Sequence, residues 1–313
     1  MPKILITGGA GFIGSTVADF FLENDFEVVV VDNLSTGNFK NVPQKAKFYR
    51  ADILDEKAIF EIFQTEKPDV LCHHAAQINV RLSLENPKKD AEINILGGLN
   101  LLKIAEKFGV KKIIFASTGG AIYGETDDLP TPENHFPDPK SPYGIAKFCF
   151  EKYLEISKIP ATILRYGNVF GPRQNARGEA GVVAIFCEKM IRGENPKING
   201  DGAQTRDFVF VDDVARANIA AAKNPEISGI FNVGTGIEKS VNDVFFEIQK
   251  HFPQKFSPEK SPKISGEIQK SCLDFQKIKR AFGWSPKVNF ADGIAKTVEF
   301  FSQKNDFCRR TGV

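Results

Sequence analysis

The sequence predicts an α/β fold in which a doubly wound parallel sheet is followed by a smaller C-terminal α/β domain. Three observations support this prediction. Short, continuous apolar runs alternate with helical patterns in the first half of the chain, the first run ends directly in a glycine-rich turn, and the composition changes after Arg165. Continuous apolar runs are typical of parallel strands that are buried on both faces. Strands that alternate with helices form right-handed βαβ units, which gives a Rossmann-type sheet.

The first half of the chain carries the elements of this sheet. Apolar runs predict strands at Lys3–Thr7, Glu27–Val31, Asp69–Cys72, Lys111–Ala116 and Ala161–Arg165. Apolar residues at helical spacing between the runs predict helices at Phe12–Glu23, Asp55–Glu66, Pro87–Phe108 and Tyr143–Ser157. Because open α/β sheets bind ligands at the carboxyl ends of their strands, the residues that follow each run are candidates for a site.

The second half of the chain predicts a smaller substrate domain. Gly, Pro, Asn and Arg in Tyr166–Gly178 indicate a loop, and Phe252–Gly266, rich in Pro, Lys and Ser, indicates another. The other predicted elements are helices at Val182–Ile191, Val211–Ala222, Phe275–Phe282 and Asp292–Phe301, and strands near Thr205 and at Gly229–Gly234. We therefore expect a first domain over 1–170 and a second over 171–313, with a segment near 205–236 returning to the first.

Composition and charge argue against several kinds of partner. Lys and Arg number 41 against 39 Asp and Glu, so the net charge of +2 provides no field that favours nucleic-acid or membrane binding. The opening MPKILITGG has too short an apolar run for a signal peptide or a membrane span. Five cysteines without a CxxC pair suit a reducing cytoplasm. No cluster at ligand spacing surrounds His73 and His74, so we expect no metal.

Thr7–Gly14 reads TGGAGFIG and predicts a dinucleotide-binding turn. Gly8 permits a tight turn, Gly11 lets the backbone approach a pyrophosphate at the helix N-terminus, and Gly14 lets the helix pack close to the strand. Asp32 ends the second apolar run, 18 residues beyond Gly14 and near the expected spacing of about 20. Its carboxylate would accept hydrogen bonds from the adenosine ribose and repel a 2′-phosphate, which favours NAD over NADP. Asp32 could also be a plain turn former in DNLSTGN.

A second motif, SPYGIAK over Ser141–Lys147, predicts a catalytic Tyr/Lys pair. Tyr143 and Lys147 are four residues apart and therefore share one face of a helix. A tyrosine has a pKa of about 10, and the Lys147 ammonium together with the positive nicotinamide of NAD⁺ would lower that pKa to about 7. Ser117 and Thr118 end the strand before this helix, and either hydroxyl could bond a substrate oxygen. The alternative for Tyr143 and Lys147 is a pair of side chains on a helix surface without catalytic function. The alternative for Ser117 and Thr118 is that they are ordinary polar residues of a loop.

Eight ordered motifs resemble the extended short-chain dehydrogenase/reductase family. They are TGGAGFIG, VVVVDN, HHAAQ, STGGAIYG, SPYGIAK, LRYGNVFGP, TRDFVFVDDVA and FNVGTG, and the resemblance runs from Lys3 to about Phe301. Within the family the chain is most similar to bacterial and archaeal UDP-glucose/UDP-galactose 4-epimerases. The resemblance implies bound NAD, a UDP-sugar substrate and an isomerase that inverts C4 through a transient 4-keto sugar. It also implies a homodimer formed through the helices of Pro87–Phe108 and Tyr143–Ser157.

The resemblance also assigns roles to single residues. It implies that Tyr143 is the base that takes the proton of the 4-hydroxyl group, with Lys147 as its partner. It implies that Asn168 bonds the UDP-sugar and that Arg206 binds its diphosphate, for which a guanidinium is well suited. The residues implied to hold NAD, besides the glycines, Asp32 and the Tyr/Lys pair, are Phe12, Ile13, Asn33, Asp52, Ile53, Ala75, Ala76, Gln77 and Asn94.

The STGGAIYG loop departs from the family pattern in a way that bears on the reaction. Relatives that dehydrate or decarboxylate the sugar carry an acid two or three residues before the YG of this loop. This chain has Gly120 and Ala121 there, so epimerisation is favoured. Gly119 occupies the family's usual Ser/Thr position, so Thr118 or Ser117 must supply the hydroxyl.

Two positions late in the chain bear on the substrate. Ile264, with Lys263 beside it, stands where the family often has a phosphate-binding Arg, so the diphosphate is held more weakly or by other groups. Ser271 aligns with a wall position where a bulky Tyr restricts the pocket, and a small Ser leaves room for a 2-acetamido group. We therefore expect UDP-GlcNAc and UDP-GalNAc as substrates besides UDP-Glc and UDP-Gal. The competing interpretation is that Ser271 is only a loop residue.

Two alternative functions stay open. A UDP-glucuronate 4-epimerase would need an additional cationic group for the C6 carboxylate, which the sequence does not place. A non-catalytic NAD-sensing regulator could keep the glycine turn without the Tyr/Lys pair. The presence of both Tyr143 and Lys147 argues against such a regulator.

Overall fold

Most strands of the computed structural model belong to one parallel sheet. The structure describes residues 1–176, 181–263 and 268–311. In the last helix, side chains are described only up to residue 303. Its strands are β1 (Lys3–Thr7), β2 (Glu27–Asp32), β3 (Lys47–Arg50), β4 (Val70–His73), β5 (Lys112–Thr118), β6 (Ala161–Tyr166), β7 (Asn168–Phe170), β8 (Lys197–Asn199), β9 (Thr205–Phe210), β10 (Gly229–Val233), β11 (Glu238–Ser240) and β12 (Glu259–Ser261). Seven of them form a sheet in the order β10-β6-β5-β4-β1-β2-β3, in which every pair is parallel. The predicted Rossmann-type doubly wound fold is confirmed.

Helices cover both faces of this sheet. They are α1 (Phe12–Glu23), α2 (Glu56–Glu66), α3 (Val80–Glu85), α4 (Pro87–Ala91), α5 (Gly97–Lys107), α6 (Gly119–Ile122), α7 (Pro142–Glu155), α8 (Val182–Ile191), α9 (Val211–Lys223), α10 (Val241–Gln249), α11 (Gln276–Phe282) and α12 (Phe290–Thr311). Among the helices described, none combines the length and the apolar character of a membrane span.

Two apolar cores lie on opposite faces of the large sheet. Along β1, Ile4 and Ile6 belong to the core that contains α1 and α9, whereas Leu5 belongs to the core that contains α2, α5 and α7. This alternation follows from the two-residue repeat of a strand. It explains why the strand sequences are continuously apolar, because both faces of each strand are covered.

A smaller assembly follows the sheet and has its own apolar core. It contains α8, α10 and α12 and the short sheets β11-β9-β7 and β12-β8. Phenylalanines supply much of this core, including Phe170, Phe186, Phe210 and Phe245. Late in the chain, α9 packs against α1, and β10 pairs with β6 in the large sheet. The division at residues 170 and 171 stays a prediction.

The structure departs from the sequence predictions in local detail. The helix predicted for Pro87–Phe108 is interrupted by a π-helical turn at Glu92–Leu96, and such turns often occur at functional sites. β3 was not predicted because its KFYR sequence is only half-buried at the sheet edge. The predicted exposed loop Phe252–Gly266 contains β12 and buries Phe256, while its last residues lie outside the described chain.

Candidate active site

The glycine turn between β1 and α1 is tightly enclosed by backbone. Gly8 has a φ of +72°, and a Cβ there would lie 2.6 Å from the Ala75 backbone nitrogen. A Cβ on Gly14 would overlap the Gly8 carbonyl oxygen. Gly11 precedes α1, whose first turn has neither a capping side-chain hydrogen bond nor an acidic residue. The unpaired N–H groups that begin a helix favour an anion, so this turn fits the pyrophosphate of a dinucleotide.

The residues around the turn are held by contacts within the protein. Phe12 and Ile13 begin α1, and their side chains pack against the apolar core of the smaller assembly. Asp32 is buried at the end of β2, where its Oδ2 accepts a 3.0 Å hydrogen bond from the Ala10 N–H and its Oδ1 a 2.8 Å bond from the Leu34 N–H. Each carboxylate oxygen keeps a further lone pair, so forming the turn and binding a ribose are compatible.

Loops at the same edge of the sheet carry further predicted cofactor residues. After β2, the Asn33 side chain donates a 2.8 Å hydrogen bond to Asp52 Oδ2. Ile53 is buried against the start of α5. Ala75 and Ala76 follow β4, and the Ala75 backbone lies directly against the glycine turn. The structure therefore places Asn33, Ala75 and Ala76 on neighbouring loops at one end of the strands.

Gln77 and Asn94 are joined by a closed set of hydrogen bonds. The Gln77 N–H donates to Asn94 Oδ1 at 3.0 Å, and Asn94 Nδ2 donates to the Gln77 carbonyl at 2.9 Å. Both side chains also donate to Asp90 Oδ1, at 2.7 Å from Gln77 Nε2 and 3.0 Å from Asn94 Nδ2. Sequence reasoning missed Asp90, although its i,i+4 spacing to Asn94 in a predicted helix was an available signal.

The predicted Tyr/Lys pair lies on α7. Tyr143 is in the first turn of the helix, which Ser141 caps, and Lys147 is one turn further along. Lys147 is buried, and its Nζ donates a 2.9 Å hydrogen bond to the Ala116 carbonyl and lies 4.7 Å from the centroid of the Phe115 ring. Burial lowers the pKa of Lys147 to about 8.

In the chain without cofactor the pKa of Tyr143 is raised, whereas the sequence expectation of a lowered pKa applies to the site with NAD⁺ bound. Burial raises this pKa, and the nearby Asp90 carboxylate raises it further. The Lys147 ammonium does not offset the lost hydration in the chain alone. A lowered pKa at Tyr143 therefore requires the second cation of the sequence argument, the positive nicotinamide of bound NAD⁺.

Ser117 and Thr118 have different surroundings, although they are adjacent. Ser117 is buried, and its Oγ donates a 2.5 Å hydrogen bond to Glu151 Oε1, which also accepts a 3.0 Å bond from Arg165 Nε. Thr118 is half-buried and precedes α6 without a capping side-chain hydrogen bond. Among the described residues, the Ser117 hydroxyl has a hydrogen-bond partner and the Thr118 hydroxyl has none. Arg165 is a charged residue in an otherwise apolar strand, and this was the signal in the sequence that a buried acidic partner such as Glu151 would be present.

Asn168 and Arg206 lie on the small β11-β9-β7 sheet. A Cβ on Gly120 would lie 3.5 Å from Asn168 Oδ1, so Asn168 borders the loop that follows β5. Arg206 is part-buried on β9, where its guanidinium donates a 2.7 Å hydrogen bond to the neighbouring carbonyl of Thr205. Asn168 is thus brought to the Tyr/Lys side of the sheet, and Arg206 lies on the adjacent strand.

The two late positions differ in what the structure describes. Ser271 is half-buried and lies two residues before Leu273, whose side chain would meet a Cβ placed on Gly119. This contact places the Ser271 segment beside Gly119, which directly follows Thr118. The position of the family's late Arg, Ile264, lies outside the described residues.

The chain matches one protein family along most of its length. The NAD dependent epimerase/dehydratase family aligns with residues 4–234. The chain belongs to this family. It is 45% identical over 308 residues to a putative UDP-glucose 4-epimerase of Methanocaldococcus jannaschii, an alignment that covers 96% of this chain and 99% of that protein.

Two solved structures are also similar to the chain. UDP-glucose 4-epimerase of Thermotoga maritima, solved with UDP-glucose, has a TM-score of 0.93 and 48% identity over 97% of this chain and 99% of that one. UDP-glucose 4-epimerase of Thermus thermophilus, solved in complex with NAD, has a TM-score of 0.90 and 42% identity over 96% and 98%. The predicted family and the NAD cofactor are confirmed, while the roles of single residues stay predictions.

Proposed function

We propose that the protein is an isomerase that interconverts UDP-hexoses at C4, with NAD as a bound cofactor. One observation carries this proposal: α7 holds the Tyr143/Lys147 pair against the carboxyl end of β5, where Lys147 Nζ donates to the Ala116 carbonyl, and the two positions that directly follow Gly119 carry no acid. Gly120 and Ala121, which lie in α6, occupy the positions where eliminating relatives carry a carboxylate. The similarity to enzymes named UDP-glucose 4-epimerase supports the same reaction.

The side chains perform the proton transfer and the positioning in this reaction. NAD⁺, when bound, would supply reversible hydride transfer at C4, which is redox chemistry that no side chain provides. Tyr143 takes the proton of the 4-hydroxyl group as general base and later returns it. Lys147, fixed by the Ala116 carbonyl, supplies positive charge that favours the phenolate. The transient 4-keto sugar turns over between the two hydride transfers while its diphosphate stays bound, with Arg206 as the proposed ligand.

A label at C4 tests this proposal. UDP-glucose that carries deuterium at C4 should give UDP-galactose that keeps the label, because the hydride returns within the same site. In D₂O, unlabelled substrate should take up no deuterium at C4. Washout of the label would contradict hydride transfer and would indicate direct deprotonation at carbon.

The hydroxyl that assists Tyr143 is proposed to be that of Thr118. Thr118→Val should lower kcat about 10- to 100-fold, because a hydrogen bond to a group that becomes charged contributes about 1.5–3 kcal/mol. Steady-state kinetics with UDP-glucose measure this effect. The free energy of unfolding should change little, because the Thr118 hydroxyl has no partner in the described part of the chain.

Ser117→Ala is the matched control, since it removes a neighbouring hydroxyl that already has a partner. It leaves Glu151 with one donor fewer and should lower the free energy of unfolding by about 1–3 kcal/mol. Urea unfolding measures that loss. If Ser117→Ala reduces kcat more strongly than Thr118→Val, the assignment to Thr118 is wrong.

The proposed substrates include the N-acetyl sugars, because Ser271 is small. Ser271→Tyr should abolish the interconversion of UDP-GlcNAc and UDP-GalNAc and spare that of UDP-Glc and UDP-Gal. The reason is that a Tyr beside the Leu273 segment fills the space that a 2-acetamido group needs. Product ratios by chromatography measure both reactions. Equal loss of both activities would show that Ser271 does not select the sugar.

We also propose that the enzyme is a cytoplasmic homodimer that acts in galactose metabolism. Ile145 and Tyr153 on α7 and Ile156, which directly follows α7, are exposed apolar residues, and Leu96 is exposed on the π-helical turn. Paired helices commonly bury such residues. The described cysteines are free thiols, which suits a reducing compartment.

Light scattering tests the homodimer. The wild type should have twice the mass of one chain, and Ile156→Glu should shift it towards the monomer, because a charge would be buried without a partner. Phe136→Glu is the control, since Phe136 is equally exposed but lies in the loop before α7. A monomeric wild type at micromolar concentration would refute the homodimer.

A further inference from the structure

Asp90 is a buried carboxylate at the candidate site to which no role has been given. It lies in α4 and is 1% exposed. Its Oδ1 accepts the two hydrogen bonds from Gln77 and Asn94, whereas its Oδ2 is buried and has no hydrogen-bond partner in the described part of the chain. A buried carboxylate with an oxygen left unpaired is costly, so a compensating charge is expected nearby.

The buried charges of the site show which group compensates Asp90. Glu151 is matched by Arg165, whose guanidinium donates to both carboxylate oxygens, at 3.0 Å to Oε1 and 2.5 Å to Oε2. Asp90 has no such ion pair among the described residues. Burial raises the pKa of Asp90, and the hydrogen bonds from Gln77 and Asn94 and the charge of Lys147 oppose this effect. Lys147 is the buried cation among these groups, and α4 packs against α7, which carries it. Asp90 and Lys147 therefore form a second, more loosely coupled pair of opposite charges.

We propose that Asp90 is a positioning residue of the epimerase, whose negative charge keeps Lys147 protonated and sets the pH range over which Tyr143 ionises. This inference rests on the proposed function. With Asp90, Lys147, Glu151 and Arg165 all charged, the buried side chains are neutral in sum. The positive nicotinamide of NAD⁺ is then the only uncompensated charge among these groups, and the Tyr143 phenolate balances it.

The direction of each effect follows from the sign of the charge. A carboxylate disfavours a neighbouring phenolate and favours a neighbouring ammonium, so Asp90 raises the pKa of Tyr143 and that of Lys147. Gln77 and Asn94 hold the carboxylate in place through Oδ1. Loss of the charge should therefore lower both pKa values.

Other titratable groups around Lys147 leave this balance unchanged. His73 and His74, at the end of β4, are neutral, because burial holds the pKa of His73 well below its usual value and lowers that of His74 to about 3. On the elements packed against α4, Arg81 of α3 is exposed, and Glu92 of the π-helical turn pairs with Lys88 on the surface.

The experiment compares pH profiles of kcat for the holoenzyme and for Asp90→Asn, which keeps the shape and the Oδ1 acceptor but removes the charge. Both the acidic limb, from Tyr143, and the alkaline limb, from Lys147, should move to lower pH by about 0.5–1 unit. Glu61→Gln is the matched control, because it removes an exposed carboxylate on α2 and should leave both limbs in place. Asp90→Glu keeps the charge and should restore the wild-type limbs.

An ultraviolet titration gives a second readout that does not depend on turnover. The phenolate signal that disappears in Tyr143→Phe reports Tyr143, and in Asp90→Asn it should appear at lower pH. Asp90→Ser serves as the neutral variant if Asp90→Asn does not fold. Loss of activity with unmoved limbs and an unmoved phenolate signal would overturn the inference and leave Asp90 a purely structural role. An inactive wild type would refute the proposed function, and the titration would still test Asp90.

Discussion

Tyr143→Phe should lower kcat about 10²- to 10⁴-fold, the usual contribution of a general acid–base group. The change removes one oxygen atom, and no protein group among the described residues is hydrogen-bonded to it. We therefore expect KM, the bound NAD and the free energy of unfolding to stay close to those of the wild type. Steady-state kinetics and the absorbance of released cofactor measure these quantities.

Tyr153→Phe is the control for this substitution. Tyr153 lies on the same helix, at its exposed face, and 39% of its surface is accessible. The same chemical change there should alter kcat by no more than about twofold, as expected for a surface substitution away from the site. If Tyr143→Phe keeps more than a tenth of the wild-type kcat, another group must be the base.

Gly8→Ala should have the second largest effect, and it should act through the cofactor. The Cβ of Ala at position 8 would lie 2.6 Å from the backbone nitrogen of Ala75 and 2.8 Å from its Cα, so backbone must move. The φ of +72° adds about 1–2 kcal/mol of strain for a residue with a side chain. If the clash and the strain together destabilise the NAD-binding form of the turn by about 3 kcal/mol, NAD should bind about 100-fold more weakly. Calorimetric titration of the cofactor-depleted protein with NAD measures this affinity.

Gly109→Ala is the control that distinguishes the effect of backbone strain from the effect of the close contact between position 8 and Ala75. Gly109 has a φ of +69°, almost the same as Gly8, but nothing lies within 4 Å of its Cβ position. Both variants should lose stability from the left-handed backbone, and only Gly8→Ala should lose affinity for NAD. If the two variants bind NAD equally well, the glycine turn does not hold the cofactor as described.

The parallel strands and the glycine turn were predictable because their signals are local. Lys3–Thr7 and Ala161–Arg165 are apolar without interruption, since both faces of the sheet are covered. The turn was predictable because its requirements are local: Gly8 has a positive φ of +72°, and a Cβ on Gly14 would overlap the Gly8 carbonyl oxygen six residues earlier. Edge strand β3 gave no such signal, because its side chains are only half-buried.

The choice between the two hydroxyls could not be made from the sequence. The proposal of Thr118 depends on the hydrogen bond from Ser117 to Glu151, 34 residues away, and on the pairing of Glu151 with Arg165. Such contacts depend on the packing of α7 against β5 and β6, which no local pattern encodes. The sequence also gives no sign that burial and Asp90 raise the pKa of Tyr143 in the chain without NAD⁺, because both act only in the assembled site.

The central claim is that the protein is a UDP-hexose 4-epimerase with bound NAD. It is tested most directly by incubating the purified protein, without added NAD, with UDP-Glc, UDP-Gal, UDP-GlcNAc and UDP-GalNAc in separate reactions. We predict interconversion within each pair of C4 epimers, because an epimerase restores its cofactor in every cycle and retains it. If no sugar reacts even after NAD is supplied, the claim is contradicted, and a uronic-acid substrate or an NAD-sensing role takes its place.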